Sequence, residues 1–257
     1  MNVRINEEIK EYCKELRLNA VKDNFESLQD ENLSHEEYLH QLLGYEMAAA
    51  DRRRIENRIR TARFPYRKYL EDLELDCLPE AMRKKLPELA GLDFIKEGRN
   101  LILTGNPGTG KTHTAIGLGI KACEAGYRVM YTTIPFLVTE LKECRDQRKL
   151  GSYQKRFERY DLVIADELGY ISFDREGADL LFGNLSLRSA QKSTIITSNL
   201  TFRRWDEIFP DAAMTSAMVD RLTYKAILVD MAGDSYRLRE TLRSNKVTLE
   251  ALNAAVG

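Results

Sequence analysis

The strongest chemical signal in this sequence is a glycine-rich run of eight residues, Gly105, Asn106, Pro107, Gly108, Thr109, Gly110, Lys111 and Thr112. The run matches the phosphate-binding pattern GxxxxGK[ST], and it lies between a strand-like apolar segment and an expected helix over Lys111–Glu124. Its glycines allow the backbone to curl so that successive N–H groups point at phosphate oxygens. We expect Lys111 to reach the β- and γ-phosphates of a nucleotide and the Thr112 hydroxyl to hold Mg²⁺.

Two adjacent carboxylates, Asp166 and Glu167, follow an apolar segment that begins at Asp161. At the carboxyl end of a parallel strand, Asp166 is expected to face the phosphate-binding loop and to hold Mg²⁺. Glu167 is expected to polarise the water that attacks the γ-phosphate. Strands often end in acidic residues, but this pair comes after a phosphate-binding loop, which favours a nucleotide-hydrolysing site.

Two further residues, Asn199 and Arg221, have two interpretations each. Asn199 ends another apolar strand, where it either orients the attacking water or only ends the strand at a turn. Arg221 lies just before the last expected strand. It is either a solvated helix residue or an arginine finger that enters the site of a neighbouring subunit.

The elements that must position these residues alternate between strand and helix. Five short apolar runs rich in β-branched residues are Asn100–Thr104, Arg128–Thr133, Asp161–Asp166, Ser193–Ser198 and Lys225–Met231. Short, nearly continuous apolar runs are typical of strands buried on both faces of a parallel sheet. The sequence therefore predicts an α/β domain over residues 73–257, a three-layer core with a five-stranded parallel sheet.

Residues 1–72 predict a small, all-helical N-terminal domain. Ser34 and Glu37 form a capping-box pattern at the start of a long apolar stripe, and Phe64-Pro65 ends that stripe. Residues 1–50 hold 5 basic and 11 acidic side chains, whereas residues 51–70 hold 8 basic and 2 acidic ones. The last helix of this domain is therefore strongly basic.

Basic residues in two segments are candidates for contacts with duplex DNA. They are Arg52, Arg53, Arg54, Arg58, Arg60 and Arg63 in the first segment, and Lys155 and Arg156 within the second, Lys142–Arg159. Both segments either bind phosphates or are solvated helix faces whose long side chains cover apolar surface. The whole chain has 39 Lys+Arg against 40 Asp+Glu, which excludes a uniformly basic DNA-coating protein but not a local basic patch.

Composition excludes several other classes. No apolar run approaches the ~20 residues that span a bilayer, and the first residues carry charge without a signal-peptide core. The four cysteines are scattered without a CxxC pair, and the three histidines are dispersed, which argues against a disulfide framework and a metal triad. We expect a cytoplasmic protein with no membrane partner.

The order of these motifs resembles the AAA+ ATPases, and further residues resemble the IstB family within them. The residues that carry the second resemblance are DELGY at 166–170, GADLLF at 177–182, TSN at 197–199, DRL at 220–222, SYR at 235–237 and LSHEEYL at 33–39. IstB proteins are helper ATPases encoded beside the transposase in bacterial insertion sequences, and they are related to replicative helicase loaders of the DnaC type. The resemblance covers nearly the whole chain.

This resemblance implies an ATPase that uses Mg²⁺ and hydrolyses ATP to ADP and phosphate. It gives catalytic roles to Glu167, Lys111, Asn199 and Arg221, with Arg221 acting across a subunit interface, and it adds Arg237 to the nucleotide-binding candidates. It implies a homo-oligomer with active sites between subunits, and double-stranded DNA and the transposase of the same element as partners. Only 18 residues follow Arg239, so no full C-terminal lid is expected.

Two functions share such a site. The favoured one is an ATP-dependent, DNA-binding AAA+ ATPase that oligomerises on DNA and assists a transposase in insertion-sequence transposition. The alternative is a replicative helicase loader that uses ATP as a protein-binding switch. A small-molecule kinase is disfavoured by the Asp166-Glu167 pair, by the position of Arg221 and by the missing lid, which kinases use to exclude water.

Overall fold

Five parallel strands form a single sheet in the C-terminal part of the chain. They are β1 (Leu101–Thr104), β2 (Val129–Thr133), β3 (Leu162–Leu168), β4 (Ser193–Ser198) and β5 (Ile227–Asp230), in the order β2-β3-β4-β1-β5. The computed structural model describes residues 3–30, 33–188, 191–209, 211–236 and 241. The predicted five-stranded parallel sheet is confirmed, although β3 continues to Leu168, beyond the predicted end of that strand.

Helices precede and connect these strands in the described residues. They are α1 (Val3–Glu15), α2 (Asn19–Asn24), α3 (His35–Ala62), α4 (Glu80–Ala90), α5 (Asp93–Lys96), α6 (Lys111–Glu124), α7 (Ile134–Asp146), α8 (Leu150–Glu158), α9 (Arg175–Ser186) and α10 (Ala212–Thr223). Short 3₁₀ helices are Ser27–Asp30, Leu70–Asp72, Leu75–Cys77 and Phe202–Glu207. In the part of the chain that the structure describes, no helix is long and apolar enough to cross a membrane.

The start of α3 is fixed by the predicted capping box. The Ser34 N–H donates to Glu37 Oε2 at 2.8 Å, and the Glu37 N–H donates to Ser34 Oγ at 3.2 Å. These two bonds satisfy N–H groups that no helical carbonyl can reach. The hydrogen bond from the Ser34 backbone also lowers the pKa of the Glu37 carboxyl.

The chain divides into two compact units, residues 1–57 and residues 58–257. The first unit has its own small core, in which Phe25, Leu28 and Leu42 are buried. The division lies inside α3, whereas the sequence analysis places the domain boundary after residue 72. The difference arises because the segment after residue 57 packs within the second unit, where the Phe64 ring lies 6.2 Å from that of Tyr131.

Four of the five strands, β1 to β4, are buried along almost their whole length, whereas buried and exposed residues alternate along β5. Every residue of β4 is buried, as are the first three residues of β1. Burial on both faces explains the apolar run of β1, whereas β4 buries serine and threonine side chains as well as two isoleucines. A buried arginine fastens the sheet at its amino end: Arg188 donates to the carbonyl oxygens of Phe157 and Tyr160, each at 2.9 Å, and of Ser193 at 2.8 Å. Burial lowers the pKa of Arg188 to about 10.

The strand order brings three chemically important loops together. Strand β4 lies between β3 and β1, and the pairing is parallel throughout, so the carboxyl ends of these three strands meet at one edge. Ligands of open α/β sheets bind at this edge. The phosphate-binding run follows β1, the Asp166-Glu167 pair lies near the end of β3, and Asn199 follows β4.

Candidate nucleotide-binding site

The phosphate-binding run folds as a tight loop between β1 and α6. Two of its glycines are required by close packing as well as by their backbone torsions. Gly105 has a φ of 142°, and a Cβ there would lie 2.4 Å from the carbonyl carbon of Met231. Gly108 has a φ of 81°, and a Cβ there would lie 2.2 Å from the Ser235 hydroxyl oxygen. The segment after β5 therefore supports the loop from behind, and side chains at these two positions would displace it.

The basic side chain of the loop lies inside its curl. Lys111 is buried at the first position of α6, and its Nζ donates to the carbonyl oxygens of Gly105 and Asn106, both at 2.6 Å. A buried ammonium group beside a helix N-terminus gives the loop a concentrated positive charge. This arrangement suits a phosphate group.

The Asp166 carboxylate is buried and surrounded by three hydroxyl donors. Thr112 Oγ1 donates to Asp166 Oδ1 at 3.1 Å, and the Thr197 hydroxyl donates to the same oxygen. Tyr131 Oη donates to Asp166 Oδ2 at 2.7 Å. Burial, together with the Asp166 charge, raises the pKa of Tyr131, so this phenol stays protonated and remains a donor. The predicted pair of magnesium ligands, Thr112 and Asp166, is therefore in direct contact.

The oxygen atoms of Thr112 and Asp166 fit Mg²⁺. Magnesium takes oxygen ligands and is usually bound by one or two protein groups together with phosphates and water, and not by a protein cage. Among the described residues, no group of three or more His, Cys, Asp or Glu side chains that could hold a metal is found. A hydroxyl and one carboxylate at the foot of a phosphate-binding loop form a suitable set of this kind.

Glu167 lies in an irregular part of β3. Its side chain is exposed into the pocket, its φ is 68°, and its N–H donates to Thr197 Oγ1 at 3.0 Å. Asn199 lines the same pocket, and its buried Oδ1 accepts no hydrogen bond from the described residues. Lys111, Glu167 and Asn199, which the sequence analysis places in one catalytic site, therefore share one cavity.

This cavity has a volume of about 350 Å³. One wall is a segment that motif analysis missed, the connector between α3 and α4. Its lining residues are Tyr66, Lys68, Asp72, Leu73, Glu74, Cys77 and Leu78. Nothing in the sequence of the connector indicates a ligand-binding wall, because it lies far from the strand ends where such motifs are sought.

The segment after β5 also lines the pocket through Tyr236. The Tyr236 N–H donates to the Gly108 carbonyl oxygen at 2.9 Å, and the Tyr236 hydroxyl donates to Glu74 Oε1 at 2.9 Å. Tyr236 thus connects the phosphate-binding loop with the connector wall. The predicted nucleotide-binding Arg237 lies outside the described residues.

Arg221 does not line this cavity. It is exposed near the end of α10, and its guanidinium carbon lies 4.7 Å from the centre of the Phe182 ring. The structure therefore does not bring Arg221 together with Lys111 and Glu167 of the same chain. Its assignment as a finger for a neighbouring subunit stays a prediction.

The basic residues proposed for DNA have different local roles. In the first unit, Arg53 pairs with Glu46 at 2.8 Å and Arg54 with Asp51 at 3.0 Å, while Arg52 is exposed. These pairs are intrahelical and neutralise part of the positive charge of α3.

In the second unit, Arg58 Nε donates to the Cys123 carbonyl oxygen at 2.6 Å, in the last turn of α6. Arg63 lies 3.7 Å from Glu140, and Arg60 is exposed. On α8, Lys155 and Arg156 are exposed, and Arg156 lies over the Tyr153 ring at 5.1 Å. Arg58 therefore has a structural contact that the sequence did not indicate.

Comparison with known proteins finds relatives over most of the chain. The family model for IstB-like ATP-binding proteins matches residues 11–244. The ATP-binding protein of insertion sequence IS21 from Pseudomonas aeruginosa is 36% identical over 228 residues, which are 89% of this chain and 86% of that protein. The ATP-binding protein of insertion sequence IS5376 from Geobacillus stearothermophilus is 33% identical over 240 residues, covering 92% of this chain and 96% of that protein.

Two solved structures have a fold similar to that of this chain. DnaI superposes with a TM-score of 0.56 and 20% identity, over 64% of this chain and 91% of that one. AMPPCP-bound DnaA from Aquifex aeolicus superposes with a TM-score of 0.55 and 20% identity, over 70% of this chain and just over half, 56%, of that one. The chain thus shares the fold of these two proteins. By its sequence match over most of its length, the chain belongs to the IstB-like ATP-binding protein family of insertion sequences.

Proposed function

We propose that this protein is a Mg²⁺-dependent ATPase that hydrolyses ATP to ADP and phosphate. The observation that carries the proposal is that Lys111, Thr112, Glu167 and Asn199 line a single cavity, with the buried Asp166 carboxylate bonded to Thr112. A phosphate-binding loop alone would support nucleotide binding only. An acidic side chain and an amide beside it supply the groups that hydrolysis needs.

Each residue has a distinct part in this mechanism. The loop N–H groups and Lys111 hold the phosphates, while Thr112 and Asp166 would hold Mg²⁺, which neutralises charge on the β- and γ-phosphate oxygens when it is bound. Glu167 accepts a proton from the attacking water, and the Asn199 amide orients that water. Because the buried Asp166 oxygens already accept three hydrogen bonds, this side chain is fixed in place beside Thr112, which suits a ligand, whereas Glu167 is exposed in the cavity, which suits a base.

The test of hydrolysis is the Glu167→Gln variant. It keeps Lys111, Thr112 and Asp166, so we expect near-normal ATP affinity with turnover reduced by roughly a hundredfold or more, the range for loss of a general base. Glu124→Gln is the matched control, because Glu124 is exposed at the end of α6 and outside the cavity. Undiminished turnover in Glu167→Gln would assign the base to another residue.

We propose further that the active protein is a homo-oligomer with ATP sites between subunits. Arg221 is exposed and lies outside the cavity of its own chain, which supports a role at the ATP of a neighbour. Arg221→Ala and Lys111→Ala should each be inactive. Mixed together, they should regain activity wherever an intact loop meets an intact arginine. Failure to regain activity in mixed oligomers would leave Arg221 as a surface residue.

We also propose that the oligomer binds double-stranded DNA and assists the transposase of the same insertion sequence. The relatives named above support the link with insertion sequences, and the exposed Arg52, Lys155 and Arg156 support contacts with phosphates. A chain of net charge −1 has no strong overall attraction for DNA, so ATP-driven assembly, which repeats a local basic patch, should be needed for tight binding.

DNA affinity measured against salt concentration, with and without ATP, tests this proposal. Tight, salt-dependent binding only with ATP is expected, together with stimulation of the transposase in a strand-transfer assay. If ATP turnover and oligomer formation are the same with and without DNA, the proposed DNA binding is wrong. The remaining candidate would then be a protein-binding switch of the helicase-loader kind.

A further inference from the structure

A β-bulge lies at the centre of the candidate site. Along the β3–β4 pairing, Ala165 is opposite Ile196 and Leu168 is opposite Ser198. Two residues of β3, Asp166 and Glu167, therefore face a single residue of β4, which is Thr197. A bulge bends its strand and redirects side chains that a regular pleat would send to opposite faces.

The backbone of the bulge is unusual at Glu167. Its φ of 68° lies in the left-handed region, which costs free energy for any residue with a Cβ. Such a conformation persists only where neighbouring groups hold it. The extra residue of a bulge also loses its normal ladder partner, so its N–H needs another acceptor.

The Thr197 hydroxyl meets both needs. Thr197 is 2% exposed, and its Oγ1 accepts the Glu167 N–H at 3.0 Å. The same hydroxyl donates its proton to Asp166 Oδ1. A hydroxyl has one proton and can accept as well as donate, so this group can make both bonds at once. One side chain thus connects the backbone of Glu167 with the carboxylate of Asp166.

We propose that Thr197 is a positioning residue for ATP hydrolysis, an inference that rests on the ATPase function proposed above. Its hydroxyl fixes the bulge so that Glu167 points at the attacking water while Asp166 stays at the Mg²⁺ position beside Thr112. Thr197 acts through these two residues. Its loss should therefore lower turnover while ATP binding, which depends on the loop and Lys111, is retained.

The test compares Thr197→Val, which keeps the shape but removes the hydroxyl, with Thr197→Ser, which keeps the hydroxyl. We expect Thr197→Val to lower kcat by roughly ten- to a hundredfold, because small misplacements of catalytic groups have effects of this size. The Kd of a non-hydrolysable ATP analogue should change by less than about threefold, and Thr197→Ser should recover most of the lost kcat.

Thr194→Val is the matched control. Thr194 is also 2% exposed on β4, but its hydroxyl accepts a bond from Arg188 and does not line the cavity. A purely structural role predicts similar losses of stability and activity in both valine variants. If Thr197→Val does not fold, Thr197→Ala removes the same hydroxyl without placing a methyl group against the carboxylate.

The possible failures are distinguishable. Turnover at the wild-type level in a folded Thr197→Val or Thr197→Ala protein, while Glu167→Gln is inactive, would overturn only this inference. A loss of kcat that Thr197→Ser does not recover, or one that Thr194→Val shares, would also overturn it. Absence of turnover in the wild-type oligomer with Mg²⁺ and DNA would overturn the proposed function and this inference with it.

Discussion

Replacement of Arg58 by alanine tests whether this arginine stabilises the fold or binds DNA. Arg58 is half-buried, and its Nε–H lies 2.6 Å from the Cys123 carbonyl oxygen in the last turn of α6. Helix α6 follows the phosphate-binding loop and begins at Lys111. The bond from Arg58 therefore stabilises the C-terminal end of this helix. A cation at a helix C-terminus is also favoured by the helix dipole.

The expected loss of stability in Arg58→Ala follows from the type of hydrogen bond that is removed. Hydrogen bonds to charged groups contribute about 1.5–3 kcal/mol to the free energy of unfolding. For a protein of this size, such a loss lowers Tm by roughly 3–12 °C. Arg52→Ala, an exposed position in the same helix, should change the free energy of unfolding by about 0.5 kcal/mol or less.

Urea denaturation of both variants measures the stability difference, and DNA affinity against salt concentration measures phosphate contacts. We expect Arg58→Ala to shift the urea midpoint, and Arg52→Ala to flatten the salt dependence by about one unit of slope, the effect of losing one phosphate contact. An Arg58→Ala protein that is as stable as wild type and has lost DNA affinity would refute the structural role of Arg58. That result would make Arg58 a phosphate ligand, as the sequence alone suggested.

Three further predictions concern the phosphate-binding loop, the proposed Mg²⁺ ligand Asp166 and the pH dependence of stability. Gly108→Ala should weaken ATP affinity by roughly tenfold or more, as measured by calorimetry, because φ is 81° and a Cβ would meet a side chain 2.2 Å away. Gly151→Ala, where a Cβ meets nothing within 4 Å, should leave that affinity unchanged. Tyr131→Phe removes a buried donor to the Asp166 carboxylate, so it should lower the free energy of unfolding by about 1–3 kcal/mol and raise the Mg²⁺ concentration needed for half-maximal turnover. Burial alone would raise the pKa of Asp161, but hydrogen bonds from the Lys192 side chain and from the backbone and side chain of Arg128 lower it to about 2. Its stabilising effect is therefore complete above the unfolded pKa near 4 and is lost as the pH falls toward 2, so the stability gap between Asp161→Asn and wild type should close over that range in acid denaturation.

The parts of the fold that the sequence predicted are those set by local patterns. Helix α6 runs over Lys111–Glu124, as expected, because a phosphate-binding loop ends at a helix whose first residue is the lysine. The Ser34–Glu37 capping box formed because both partners lie within one turn. Strands β1, β2 and β3 contain apolar runs because they are buried on both faces, and these runs made them identifiable.

The connector wall of the cavity could not be predicted in this way. Its residues reach the site through contacts with distant partners, such as the bond between Tyr236 and Glu74, which are 162 positions apart. No spacing rule relates residues so far apart. The same limit applies to Tyr131, which sequence analysis treated only as part of a strand although its hydroxyl bonds to Asp166, 35 positions away.

The bulge shows how a local motif and a non-local register combine in this site. The Asp166-Glu167 pair was recognisable as a strand end, but its geometry depends on which residue of β4 lies opposite, and that is fixed only when the sheet forms. With a regular pairing, successive side chains would point to opposite faces of the sheet, and only one of the two carboxylates would face the loop after β1. The bulge places Asp166 in a buried position beside Thr112 and Glu167 in an exposed position in the cavity, which are the positions that their proposed roles as Mg²⁺ ligand and base require. A threonine opposite the pair supplies both an acceptor and a donor, which neither valine nor alanine could do. The geometry of the two carboxylates therefore depends on a β4 residue that lies outside the phosphate-binding pattern, and we propose that their chemistry depends on it as well.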